Sequence, residues 1–120
     1  MNPTFGNNPR WLWESVALFE NGEFVDPRTL GYMVQGRYPT LAALDADPSA
    51  SRQVYEVGYV IAEFIVARAG RDGLRALVRA HGQLPTIGFR APSEFEAAWA
   101  AWVRDRYLTP AALDRGPAGL

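Results

Sequence analysis

Trp11-Leu12-Trp13-Glu14-Ser15-Val16-Ala17 is an apolar run with a single carboxylate set inside it. At 100° per residue, Trp11, Leu12, Trp13, Val16, Ala17, Leu18 and Phe19 leave almost no polar side to the helix they predict. A helix that is apolar nearly all round belongs in a core. Glu14 falls between Ala17 and Leu18 on the wheel and is drawn in with them. A buried carboxylate needs a partner, because an unpaired one is driven toward its neutral form.

The same helix starts near Pro9, a residue suited to a first turn, and stops at Asn21-Gly22. Asp26-Pro27 reads as an N-cap with proline behind it, opening a short helix through Thr29 to Val34 that Gly36 closes. Thr40 to Asp45 forms one or two further turns, followed by a polar loop to Ser51. The longest pattern runs from Arg52 to about Ala69. It gathers Val54, Tyr55, Gly58, Tyr59, Ile61, Ala62, Ile65, Val66 and Ala69 on one face. Arg52, Gln53, Glu56 and Glu63 lie opposite. Gly70 ends it, and Asp72 caps a helix carrying Leu74, Leu77, Val78 and His81.

Ser93-Glu94-Phe95-Glu96 has the form of a capping box. The helix it opens aligns Phe95, Ala98, Trp99, Trp102, Val103 and Tyr107. No alternating strand pattern stands out, and Glu23-Phe24-Val25 is at most a short extended piece. The prediction is an all-α fold: an irregular bundle of four longer helices plus one or two short ones. Residues 1–108 hold the helices and 109–120 read as a frayed tail.

Composition bounds the function. The 120 residues are 48% hydrophobic and 12% aromatic, enough for a core in a single domain. Twelve basic residues against 13 acidic ones give a net charge of −1, which argues against a nucleic-acid partner. Cysteine is absent, so thiolate metal sites and cysteine nucleophiles are excluded. No window approaches the ~18 consecutive apolar residues of a membrane span. No basic or apolar leader precedes Pro9; if Met1 is a true start, the chain is cytoplasmic. His81 is the lone histidine, expected on the apolar face of its helix near the C-terminal carbonyls.

Two segments resemble a known family. Trp11 to Ala17 resembles the W-L-x-E-x-x-A motif of the gluzincin zinc peptidases, of the peptidase MA-like clan. Val54-Tyr55-Glu56-Val57-Gly58, about forty residues on, resembles that family's V-Y-E-K-G segment. The order agrees, as do the A-G-R-D-G break and the terminal F-E-x-x-W helix, so the likeness runs from Pro9 to Leu108. It implies peptide-bond hydrolysis by zinc-bound water in intact relatives. Glu14 would be the third protein ligand of the zinc, and Tyr55 the hydrogen-bond donor to the oxyanion of the tetrahedral intermediate.

The family's H-E-x-x-H helix, source of two ligands and the general base, precedes the Glu; here only 13 residues do, none of them histidine. Val57 stands where the aminopeptidase branch has Lys, so exopeptidase specificity does not carry over. The expectation is a truncated or split metallopeptidase domain, inactive alone and binding no zinc by itself. An H-E-x-x-H segment from elsewhere, or self-association through an exposed apolar face, would complete it. On the residues alone, a non-catalytic α-helical interaction or scaffold module stands beside this. Glu14 would then be a core carboxylate paired with an Arg, or a surface residue on a helix less buried than its wheel suggests, and Tyr55 a core tyrosine.

Overall fold

The computed structural model describes residues 8–45 and 52–109. The polar loop expected to reach Ser51 and the tail from residue 110 lie outside these residues. Among the described residues every regular element is helical, so the fold is all-α. The helices are α1 (Arg10–Glu20), α2 (Gly31–Val34), α3 (Leu41–Asp45), α4 (Arg52–Arg79) and α5 (Pro92–Tyr107). Single 3₁₀ turns occupy Pro27–Thr29 and Leu84–Ile87. No helix is long and apolar enough to cross a membrane.

Gly70 breaks α4 into two arms. Its φ of 74° with ψ of 174° is a backbone region essentially restricted to glycine. Counted on either side of the break, four longer helical segments are present, as the pattern predicts. The first arm crosses α1, with Tyr55 at Arg10, Gly58 at Ser15 and Leu18, and Tyr59 at Phe19. The second arm returns along α1. Arg71 meets Glu20 at 3.6 Å, and Asn8 Nδ2 donates to the Val78 carbonyl at 3.1 Å. α1 is thereby clasped by both arms.

α5 closes the core from the other side. Phe95, Trp99 and Val103 are fully buried. Phe95 lies 5.7 Å from Trp11, 5.5 Å from Phe64 and 5.3 Å from Phe89, ring centre to ring centre. Each such ring brings a large apolar area out of water and adds about 0.5–1.5 kcal/mol for a favourable ring–ring geometry.

Two helix starts are capped by carboxylates from elsewhere in the chain. Pro9 offers α1 no side-chain cap; instead Asp45, at the end of α3, accepts from the Trp11 N–H at 2.7 Å. α3 in turn has Glu96 of α5 accepting from the Leu41 N–H at 2.8 Å, beside Thr40 accepting from Ala43 at 3.1 Å. The capping box expected at Ser93–Glu96 is therefore not formed. α5 begins two residues earlier, at Ala91-Pro92, because proline presets the first turn, and Glu96 is committed to α3. The helix expected over Thr29–Val34 is divided at Leu30 into a 3₁₀ turn capped by Asp26 and the short α2.

Glu56 and Glu63, expected on the solvated side of α4, are both half-buried and held by tyrosines. Tyr32 Oη donates to Glu56 at 2.7 Å and Tyr107 Oη to Glu63 at 2.6 Å. Burial first, and then the carboxylate beside it, pushes the Tyr107 phenol up to about 12 from its ordinary 10; the Tyr32 phenol is raised by the same causes.

Two outcomes follow from these contacts. Asp45→Ala removes the α1 cap and should lower the unfolding free energy by about 1 kcal/mol in urea titration. The tyrosines prefer to stay neutral in the fold, so their contribution is complete below pH 10 and is lost as pH rises toward 12. Circular dichroism should show helix loss setting in over that interval, with a shallower pH dependence in the Tyr32→Phe/Tyr107→Phe double variant.

Candidate functional site

Glu14 lies on α1 and Tyr55 on α4, the two helices that cross at Gly58. At the centre of this crossing the backbones of α1 and α4 come together without side chains between them. A Cβ placed on Gly58 would lie 3.2 Å from Ser15 Cα and 2.7 Å from Leu18 Cδ1. Ser15 is fully buried and turns its hydroxyl back onto the Trp11 carbonyl, so it keeps its own polar group satisfied at the crossing. Glu14 neighbours Ser15 on α1, and Tyr55 lies one turn before Gly58 on α4.

α1 is less enclosed than its wheel suggests. Trp11, Leu12, Glu14, Ser15 and Leu18 are buried, but Trp13, Val16 and Phe19 are half-buried and Ala17 is exposed. Glu14, between Leu18 and Ala17 on the wheel, stands where the buried side gives way to the open one. It is itself 7% exposed. Its carboxylate makes no hydrogen bond or ion pair among the described residues. The Arg partner of one structural reading is absent among the described residues, while the partly open α1 agrees with the other, a residue on a less buried helix.

Tyr55 departs from expectation. Its place within the apolar arc predicts an inward ring, yet it is 48% exposed. Val57, Val60 and Phe64 are buried as well, which widens the covered arc of α4 and moves its centre away from Tyr55. The ring stands at the edge of the crossing. Its hydroxyl accepts from Arg10 Nη2 at 3.0 Å, and the guanidinium carbon sits 5.8 Å from the ring centre.

Arg10 was not singled out by the sequence pattern. Its position four residues before Glu14 is the available signal, but that spacing points to an ion pair along α1. The side chain instead reaches across to α4. Its Nε is buried without an acceptor among the described residues.

His81 also differs from expectation. It lies beyond the last turn of α4, exposed, in the left-handed conformation with φ of 57°. The carbonyls it was expected to complement are taken by backbone donors. The His81 N–H bonds to Val78 at 3.1 Å and the Gly82 N–H to Leu77 at 2.9 Å, the pattern of a Schellman end.

Among the described residues no three or more His, Cys, Asp or Glu side chains come together as a metal site. Glu14 would supply one oxygen ligand from α1. A zinc ion of the catalytic type takes three protein ligands, so the described residues do not fit it by themselves. What they present is a carboxylate on α1 without a partner among the described residues and, spanning α1 and α4, a guanidinium held against a phenol.

Replacing Glu14 with Leu removes a carboxylate that has no protein partner among the described residues and puts an apolar side chain at a largely covered position. Glu14→Leu should stabilise the chain, read as a higher urea midpoint at unchanged slope. Destabilisation would reveal a compensating partner. Comparison of the chain with models of protein families, with curated proteins and with solved structures finds no match.

Proposed function

We propose that this chain is the C-terminal helical half of a gluzincin-like zinc metallopeptidase domain. Glu14 is its third metal ligand and Tyr55 its donor to the oxyanion formed on a peptide carbonyl. The observation that carries the reading is Glu14, buried on α1 with no partner among the described residues. The side chain is largely covered while its carboxylate reaches the surface without a protein partner among the described residues, which leaves it open to a cation.

The surroundings support the same reading. α1 is held rigidly by both arms of α4, as a metal ligand requires. Tyr55 is half exposed, so its hydroxyl is open to a reacting group. A phenol there stabilises negative charge without competing for the metal. The two histidines and the general base would be supplied by an H-E-x-x-H segment outside these 120 residues.

One observation favours a second reading, a non-catalytic helical interaction or scaffold module. The Tyr55 hydroxyl already has a partner within the chain, Arg10.

Metal analysis separates the two. Alone, the chain should hold no stoichiometric zinc and cleave no fluorogenic peptide, since one carboxylate gives weak affinity. Produced together with the segment encoded immediately upstream, if that reads H-E-x-x-H, it should bind one zinc per chain. Glu14→Ala should then weaken that binding by at least about tenfold to a hundredfold. Zinc binding indifferent to Glu14 would overturn the proposal.

A further inference from the structure

We propose that α4 is a hinge: bent at Gly70 it closes the chain on itself, and straight it lets two copies exchange everything beyond that residue. Gly70 stands at φ 74° and ψ 174°, a backbone region that L side chains do not enter without strain. A Cβ there would meet nothing within 4 Å, so the backbone conformation alone opposes a side chain. Gly73 carries a second, independent sign of the bend. A Cβ on it would collide with the Cβ of Ala69, four residues earlier. On a regular helix such positions lie about 5–6 Å apart and leave room for both. Two missing methyl groups therefore permit the bend, one through the backbone and one through space. The neighbours Ala67, Arg68, Ala69 and Arg71 are strong helix formers that favour continuing straight.

The contacts across the bend suit an exchange. Residues 71–109 are held to residues 8–69 by Arg71 at Glu20, Asn8 at the Val78 carbonyl and Phe95 against Trp11 and Phe64. Glu96 at Leu41 and Tyr107 at Glu63 complete the set. None of these contacts requires both sides to belong to one chain. A straight α4 of 28 residues runs about 42 Å and carries the second arm and α5 away from their own α1. In a two-fold pair, each α1 is then clasped by its own first arm and by the second arm of the other copy. The occupant is a second copy of this chain, because it alone brings the matching partners to every one of these contacts. With the contacts alike in both states, the hinge and the protein concentration set the balance.

The full chain, unfolded in urea and refolded at high concentration, is sized by light scattering. The unaltered chain should be mostly monomeric, with a dimer that grows with concentration. Gly70→Ala and Gly73→Ala should each raise the dimerisation constant by about a hundredfold or more, since two hinges are relieved in each dimer. The absence of cysteine lets the exchange itself be read. Glu20→Cys in one copy and Arg71→Cys in another, each combined with Gly70→Ala, should be joined by a short bis-maleimide after refolding together. These two positions come together between copies only across the exchanged contact. Should Gly70→Ala fail to refold, Gly73→Ala takes its place in both measurements. A dimerisation constant unmoved by the glycine substitutions overturns the hinge. A dimer that yields no cross-link between positions 20 and 71 is a surface association and overturns the exchange.

Discussion

The contact between Ser15 of α1 and Gly58 of α4 is the constraint from which the other features follow. Only a residue without a Cβ lets the two backbones come this close; any larger side chain would press into Ser15 Cα and Leu18. Gly70 then turns the second arm of α4 back along α1, so a helix of 11 residues is gripped along its length. The separation of the helices at this crossing also decides which side chains span it. Arg10 reaches Tyr55 because the crossing is tight.

Polar groups drawn into this fold are mostly met by partners from distant parts of the chain. Asp45 caps α1, Glu96 caps α3, and Tyr32 and Tyr107 donate to Glu56 and Glu63. These contacts tie the short helices and α5 to the α1–α4 pair more specifically than apolar packing can, since a hydrogen bond has direction. Glu14 stands out against that background. It is more buried than any of those carboxylates and alone among them has no partner among the described residues.

Much of the architecture was legible in residue pattern. Helix positions followed from apolar periodicity, and their ends from Asn21-Gly22, Asp26-Pro27, Gly36 and Gly70, because these residues act through their own backbone preferences. The burial of Glu14 followed from its place on the α1 wheel. Inference weakened where an outcome depended on a second element. Ser93 and Glu96 have the spacing of a capping box, yet Glu96 has a better use 55 residues away at Leu41. Glu56 and Glu63 look solvated until α2 and the end of α5 bring tyrosines to them. His81 looks like part of a helical face until the helix stops two residues before it.

The sequence by itself determined the all-α class, the order of the helices, the apolar nature of α1 and the presence within it of one carboxylate. These are local properties, set by side-chain chemistry and the 3.6-residue repeat. Only the tertiary structure decided which sides of α1 and α4 are covered. That placed Tyr55 at the rim instead of inside, exposed Ala17 beside a buried Glu14, and sent Arg10 across to the phenol. The reason is geometric: a wheel shows which faces are apolar, but the rotation of one helix against another is set by the closest approach between them, here at Ser15 and Gly58.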